Sequence, residues 1–380
     1  MLHWERATVT GSRSSWRGVD RLQVEIERDG RGADASAETE TVSAIAYPEL
    51  TGTPAVGERV LLNTNALRRG LGTGGDALVV ARLDVLPAPE EITGHMVKAR
   101  YTPMQTMVDA IDDPEGEHYA TMQGAEDLGG MPVLVADLHS SLPALVAGIR
   151  AERHSAKIVY VHTDGASLPA AYSRSAARLR EAGLLASVIS AGQSFGGDLE
   201  AVTVHSALLG AKHVVGGDIA VVIQGPGNLG TGTGWGFSGM QAAEHLHAAA
   251  ALGGAPVATL RVSNADPRDR HRGLSHHSAT TYGRATLAPV HLPILSRRDH
   301  RYNAFHASVR EQVKSSIVKP ARARGTEHVL AEIDAKGLRD ALEEMPVRLS
   351  TMGRSLGEDP EAFRYAALAG RCAAGLIPTR

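Results

Sequence analysis

The chain has 380 residues, 43% of them hydrophobic and 21% charged, enough for two or three domains around a large packed core. Its formal net charge of −3 gives no basis for a nucleic-acid partner or an acidic membrane surface. A single cysteine, Cys372, excludes an intrachain disulfide framework and a cysteine-based metal site; no apolar run approaches the ~20 residues of a membrane span, so a soluble cytoplasmic protein is expected.

Residues 1–90 read as a small all-β domain. Leu22-Gln-Val-Glu-Ile26 alternates strictly, and Thr41–Tyr47, Glu58–Leu62 and Ala77–Ala81 follow at roughly regular spacing with turn signals between them. Asp29-Gly30 has the chemistry of a hairpin turn, because both residues tolerate positive φ, and Asp34, Glu38 and Glu40 mark a solvated tip. A small barrel or sandwich is expected, followed by a linker through Pro87 and Pro89. Self-association through this domain is compatible with the sequence.

Residues 93–380 change pattern. Val133–Ala136, Lys157–Val161, Leu184–Ser190, Ile219–Ile223 and Val257–Val262 are short apolar runs. Helical stretches lie between them: one ending at His154, then Pro169–Ala182, Leu199–Leu209, and an Ala-rich run ending at Leu252. Strands alternating with helices predict an α/β domain with a Rossmann-like, mostly parallel sheet and helices on both faces. Thr286–Ile294 and His328–Ile333 read as further strands, Asp359–Leu376 as a closing helix, and 295–327 as basic and poorly patterned.

Ligands of such sheets bind beyond the carboxyl ends of the strands. Asp137, His139 and Ser140 follow the first strand, and His162-Thr-Asp164-Gly165 the second. Gly192–Asp198 follows the third, where Asp198 is placed to cap a helix over 199–209. Gly225–Gly239 follows the fourth, with seven glycines in fifteen residues. The fifth is followed by Ser263–Asp266, Arg268–His271 and Gly273–His277.

Gly225-Pro-Gly-Asn-Leu-Gly230 matches G-x-G-x-x-G, but Pro226 removes a donor and Thr231-Gly-Thr-Gly234 lengthens the loop. The pattern favours a cradle for a phosphate or other anion over a whole dinucleotide, with Gly225, Gly227, Gly230, Thr231, Gly232, Thr233 and Gly234 as the binding residues. Gly192-Gln-Ser194-Phe-Gly196 matches the G-x-S-x-G elbow, although Gly196-Gly197 delays the helix that an elbow requires. Asp266–His277 holds three histidines and two aspartates in twelve residues, with no named zinc spacing. On a helix, adjacent His276 and His277 point apart, so one of them at most is expected to face a given site. Lys98 and Arg100 alternate with apolar residues, so both lie on one strand face that reads as solvated, the alternative being that they reach an anion.

Several of these stretches together resemble an uncharacterised bacterial family of about this length, known only as a domain of unknown function. They are Gly94-His95 through Pro103, His162–Gly165, Gly196–Glu200, Gly225–Gly239 and Asp266-Pro-Arg through Ser275-His-His277, with Gly70–Gly75 ahead of them. The resemblance implies this architecture and a soluble bacterial protein, and it carries over no catalytic residue. The residues themselves lead to an enzyme acting on a phosphorylated or anionic small molecule, with Asp164, Asp198, Asp266 and His276 as acid/base candidates. A serine hydrolase using Ser194 and a non-catalytic ligand-sensing or assembly protein are the alternatives. Cofactor and metal stay unassigned.

Overall fold

The computed structural model describes residues 2–27, 40–71, 74–86 and 93–378. The Asp29-Gly30 turn, Asp34, Glu38 and the Pro87–Pro89 linker lie outside the described residues. The chain divides into two compact units, Met1–Thr93 with Tyr101–Thr106, and Gly94–Arg100 with Met107–Arg380.

The first unit is a closed five-stranded barrel of β1 (Trp4–Trp16), β2 (Val19–Ile26), β3 (Glu40–Ala46), β4 (Arg59–Asn63) and β5 (Asp76–Arg82), in the order β1-β2-β3-β5-β4. β1 pairs antiparallel with both β2 and β4, which closes the ring and leaves no open edge. Alternation fills the interior: Ala7, Val9, Leu22, Val24, Val60, Leu62, Ala77 and Val79 form one buried cluster. The sequence did not announce β1. Its second half, Gly11-Ser-Arg-Ser-Ser15, carries no apolar alternation, and the pairing shifts register at Val9/Gly11 and Ser12/Ser14.

The second unit is an eight-stranded sheet. Its strands are β6 (Pro132–Ala136), β7 (Ile158–Thr163), β8 (Ser187–Ala191), β9 (Leu199–Ala201), β10 (Ile219–Gln224), β11 (Ala255–Ala258), β12 (His291–Leu295) and β13 (Val329–Ile333). They lie in the order β9-β8-β7-β10-β6-β11-β12-β13, and every pairing is parallel. β6, β7, β8 and β10 are buried at every residue, as strands covered on both faces must be. Its helices include α1 (Leu142–Glu152), α2 (Arg174–Glu181), α3 (Val204–His213), α4 (Gln241–Ala251), α5 (His276–Thr280), α6 (Ala304–Val313) and α7 (Pro360–Gly375). α1 and α7 pack backbone to backbone: a Cβ on Gly148 would overlap the Ala367 carbonyl, and one on Gly370 the Leu145 carbonyl.

Two elements differ from the sequence reading. The helix expected over 199–209 begins as a strand, β9, and α3 starts five residues later than expected. Asp198 N donates to the Val188 carbonyl at 2.7 Å, so the chain joins the sheet edge instead of turning into a helix. The helix starts where Thr203 and Ser206 form a reciprocal capping box. The poorly patterned 295–327 stretch holds α6, capped by Asn303, whose Oδ1 accepts from Phe305 N at 2.9 Å.

The winding locates the crevice. From β6 the chain moves one way across the sheet to β7, β8 and β9; from β10 it moves the other way to β11. With right-handed crossovers, these two directions send α1 and α4 to opposite faces. β6 and β10 are neighbours, with Ile223 opposite both Ala136 and His162. Their carboxyl ends therefore flank the switch point, where ligands of open α/β sheets bind.

Candidate functional site

β10 ends in Gln224, and this side chain fastens the glycine-rich loop. Its Nε2 lies within hydrogen-bonding distance of Ser238 Oγ (3.1 Å), Asn228 Oδ1 and the Asp137 carbonyl at the end of β6 (3.5 Å). Asn228 Nδ2 donates to that carbonyl at 2.8 Å. Both ends of the loop are thus tied to the switch point. Between them the chain forms a hairpin: Gly230 bridges Phe237, Thr231 N donates to the Gly236 carbonyl (2.8 Å), and Ser238 N to that of Leu229 (2.9 Å). Thr231, Gly232 and Thr233 form the exposed tip. Their hydroxyls are engaged locally, Thr231 Oγ1 with the Gly236 carbonyl and Thr233 Oγ1 with Gly236 N. A 3-10 turn, Ser238–Met240, precedes α4. The binding residues expected from sequence therefore lie along a hairpin, with Gly225 buried at its root and Gly227 beyond it at a φ of 108°.

The hairpin packs on the segment after β11. Phe237 stacks on His277, with ring centroids 3.8 Å apart and planes within 5°. A Cβ on Gly230 would sit 4.0 Å from His277 Cε1, and one on Gly234 3.4 Å from Thr280 Oγ1. His277 in turn belongs to a group of three imidazoles. His271 and His276 are centred 5.0 and 4.1 Å from it, and 5.0 Å from each other. The expectation that His276 and His277 point apart fails here. α5 is only five residues long, capped by Ser275, and both rings sit in its first turn, where they converge on His271 from the preceding 3-10 turn. Burial and the surrounding arginines push all three imidazoles down, His271 and His277 to about 3, so they are neutral at ordinary pH.

Asp266 is brought beside this group but is clamped. Its carboxylate accepts from Arg268 N, Nε and Nη2 (3.0, 2.9 and 2.9 Å) and from Arg354 Nη2 (3.0 Å), and it is 1% exposed. The Arg268 side chain holds the carboxyl well below the usual range, although burial opposes this. Such a group stays ionised and does not exchange protons near neutrality, which corrects its assignment as an acid or base. It orders Arg268 and Arg354 instead.

Arg261 sits at the centre. It lies within electrostatic reach of Asp137, Asp266, Arg268 and all three imidazoles. Its backbone N donates to Ser278 Oγ (3.0 Å) and its carbonyl accepts from Ser275 N (2.8 Å), which fixes the arginine against the start of α5. Its guanidinium makes no hydrogen bond or ion pair among the described residues. Together with Asp137, Ser263, Arg354 and Asp359 it lines a cavity of about 20 Å³, room for one or two small atoms. Asp137 is buried, its Oδ2 has no hydrogen-bond partner among the described residues, and burial pushes its carboxyl up against the opposing charge of Arg261.

The model of a family described as a protein of unknown function, DUF3866, matches residues 43–370. The chain belongs to this family. The DUF3866 match begins within β3 and runs into α7, so it takes in every element of the site. The family description brings no activity with it. No curated protein and no solved structure matches the chain.

The other sequence candidates lie elsewhere on the edge or off it. Asp164 accepts from Gln193 N at 2.8 Å and reaches His245 and Lys98 electrostatically, which places it on the β7–β8 side. Asp198 is neither a helix cap nor at the carboxyl ends of the strands. It accepts from Val188 N (2.8 Å) and pairs with Arg180 (2.9 Å), level with the second residue of β8 and about 10 Å, at ~3.3 Å per residue, from that strand's carboxyl end. Ser194 is fully buried and its hydroxyl donates to the His162 carbonyl at 3.3 Å, with no imidazole bonded to it among the described residues. Lys98 is not on a solvated face. It is fully buried, donates to the Gly192 carbonyl (2.8 Å) and pairs with Glu200 Oε2 (3.3 Å).

Sequence reasoning missed a buried hydrogen-bond chain. Ser173 Oγ lies 2.7 Å from His139 Nε2, His139 Nδ1 3.3 Å from the Tyr160 hydroxyl, and that hydroxyl 3.1 Å from His162 Nδ1. His162 Nε2 donates to the Ser167 carbonyl at 2.9 Å, and Ser173 Oγ accepts from Ala176 N at 3.0 Å. The Tyr160 hydroxyl also lies 3.2 Å from the Ile223 carbonyl, so with both histidines neutral its one proton has two acceptors. Burial pushes the two imidazoles down to about 3 and about 4. His139 and His162 at two strand ends were legible; Ser173 and Tyr160 gave no signal, because a hydroxyl in a turn and a tyrosine within an apolar strand read as cap and core.

Proposed function

We propose that this chain is an enzyme acting on a phosphorylated or otherwise anionic small molecule, bound at the carboxyl edge of its parallel sheet. The observation that carries this reading is Arg261, a half-buried guanidinium beside the end of β6 that makes no hydrogen bond or ion pair among the described residues. Removing a cation from water without a partner is costly, and an incoming anion offsets that cost with charge-assisted hydrogen bonds. Arg268 and Arg354 are already spent on Asp266. The glycine-rich hairpin supports the reading as one wall of the site, because it packs on the imidazole group beside Arg261. Those imidazoles, His276 above all, offer lone pairs beside the anion. Asp164 stands at the far side of the same edge.

Among the described residues nothing at Ser194 favours a serine nucleophile: the group is buried, donates to a carbonyl and has no base bonded to it. The test is a thermal-shift screen of inorganic phosphate, nucleotides and sugar phosphates, run on the wild type and on Arg261→Met. A ligand present at 100 times its Kd stabilises by about 2.7 kcal/mol. Arg261→Met should abolish that shift. A ligand that stabilises both proteins equally sinks the assignment of Arg261, and a compound that binds but is never turned over leaves a sensing protein.

A further inference from the structure

We propose that His271, His276 and His277 bind a divalent transition-metal ion of the zinc class, with one position left open to an anionic oxygen. One ring nitrogen from each histidine lies within 4.8 Å of the other two. Zinc–nitrogen bonds of ~2.0–2.1 Å place tetrahedral ligands ~3.4 Å apart. Closing the site therefore takes ring movements on the order of 1 Å, within the reach of small side-chain rotations.

Three further features point to a ligand. His276 Nε2 and both ring nitrogens of His277 are buried and have no hydrogen-bond partner among the described residues. Buried polar atoms in native proteins are nearly always satisfied, by protein, water or an ion. His271 Nδ1 lies 2.8 Å from Ser275 Oγ. Donation from Nδ1–H to that hydroxyl leaves the Nε2 lone pair free, which is how metal-ligating histidines are commonly oriented. Phe237 covers one face of His277 and restricts that ring.

The surrounding charge determines the remaining ligand. Three neutral imidazoles leave the ion's double charge uncompensated, and Arg261, Arg268 and Arg270 add to it. Of the two carboxylates in this segment, Asp269 is exposed, and the oxygens of Asp266 are engaged by Arg268 and Arg354. The ion is therefore held only with an anion in its open position, and three protein ligands with one vacancy is the arrangement of catalytic zinc sites. The metal assignment stands on the histidine geometry alone; the anionic fourth ligand rests on the function proposed above.

The experiment is a cobalt titration of the chelator-stripped, full-length protein. We expect one equivalent of Co²⁺ to give the intense visible absorption of a low-coordinate site, and Zn²⁺ to displace it. Second-shell changes at metal sites cost roughly 10–100-fold in affinity, so loss of a ligand in His271→Gln, His276→Gln or His277→Gln should cost more than about 100-fold. His300→Gln, at an exposed histidine, should bind as wild type. If His271→Gln or His277→Gln does not fold by circular dichroism, His276→Gln decides, since its ring is half-buried and free of hydrogen bonds among the described residues. Absence of the cobalt band, or a band of equal affinity in His276→Gln, overturns the metal site. Inorganic phosphate should then shift the band of the cobalt form. Cobalt binding without that shift leaves the metal and removes the anion; phosphate stabilisation that persists in His276→Gln, with no cobalt band in the wild type, leaves the anion and removes the metal.

Discussion

Replacing Lys98 by methionine tests how the β7–β8 side of the edge is braced. The Lys98 ammonium is fully buried, donates to the Gly192 carbonyl at 2.8 Å and stands 3.3 Å from Glu200 Oε2. At an effective dielectric constant of about 20, two charges at that distance attract by roughly 5 kcal/mol, most of it offset by desolvation. Methionine keeps the bulk of the stem but strands the carboxylate, and breaking a buried pair from one side costs about 3–5 kcal/mol. The lower end is expected, because Glu200 Oε1 still accepts from Gly196 N (2.7 Å) and Gly197 N (3.1 Å). Burial pushes the Glu200 carboxyl up to about 7 even with Lys98 opposing it, so without the lysine it rises further. A folded-state value above the unfolded one means the folded protein keeps a proton that the unfolded chain releases, and stability is lost as pH rises through the folded value. Lys98→Met should therefore cost about 3 kcal/mol in urea unfolding at pH 8 and markedly less at pH 6. Adding Glu200→Gln should recover at least about half of the loss at pH 8. A loss below about 1 kcal/mol at pH 8, or one that does not change with pH, would refute the buried-pair account.

Gly148→Ala should destabilise by about 1–3 kcal/mol by forcing α1 and α7 apart, whereas Gly375→Ala, at the last turn of α7 with open space around it, should be neutral or stabilising by up to about 1 kcal/mol. Comparative urea melts of the two variants check this, and equal effects would contradict the close-contact geometry. His245 is buried, and burial pushes its imidazole down to about 4. Its folded value lies below the unfolded ~6.5, so the unfolded chain takes up the proton first and stability is lost as pH falls from about 6.5 towards 4. Between pH 7.5 and 5.5 the wild type should lose about 1.4 kcal/mol more than His245→Gln, and parallel stability profiles would show that His245 titrates normally.

The sheet was legible because strands buried on both faces announce themselves as continuous apolar runs, as Ile219–Ile223 and Val133–Ala136 do. The strand β9 was not, because a three-residue strand, Leu-Glu-Ala, leaves no periodicity, and Asp198 ahead of it looks like a helix cap until its backbone pairs with Val188. At the site, the Asp266–His277 segment stood out by its density of ionisable groups. What sequence could not give was direction. Asp266 reads as an acid until two arginines from positions 268 and 354 are seen to hold it, and the second is 88 residues away. Lys98 reads as a surface cation for the same reason: its partner, Glu200, is brought in only by the crossover after β8.

The glycine-rich loop drew attention for its glycine count, yet most of those glycines answer to packing. A Cβ on Gly225 would press on the Ser167 carbonyl and the His162 ring, at 2.5 and 2.8 Å. On Gly236 it would overlap Thr231 Oγ1, and on Gly239 the Phe237 ring. Gly227 and Gly232 hold φ values of 108° and 85°, which side chains rarely adopt. Five of the seven glycines thus build a hairpin that can lay Phe237 on His277. Glycine content by itself is accordingly weak evidence for an anion cradle here. The weight moves to the wall the hairpin is built to reach: a guanidinium at Arg261 unpaired among the described residues, and three converging imidazoles, two of which bury ring nitrogens without a partner there. The loop's contribution is to bring an aromatic ring onto that group and to stay fastened, through Gln224 and Asn228, to the end of β6 where the winding of the sheet reverses.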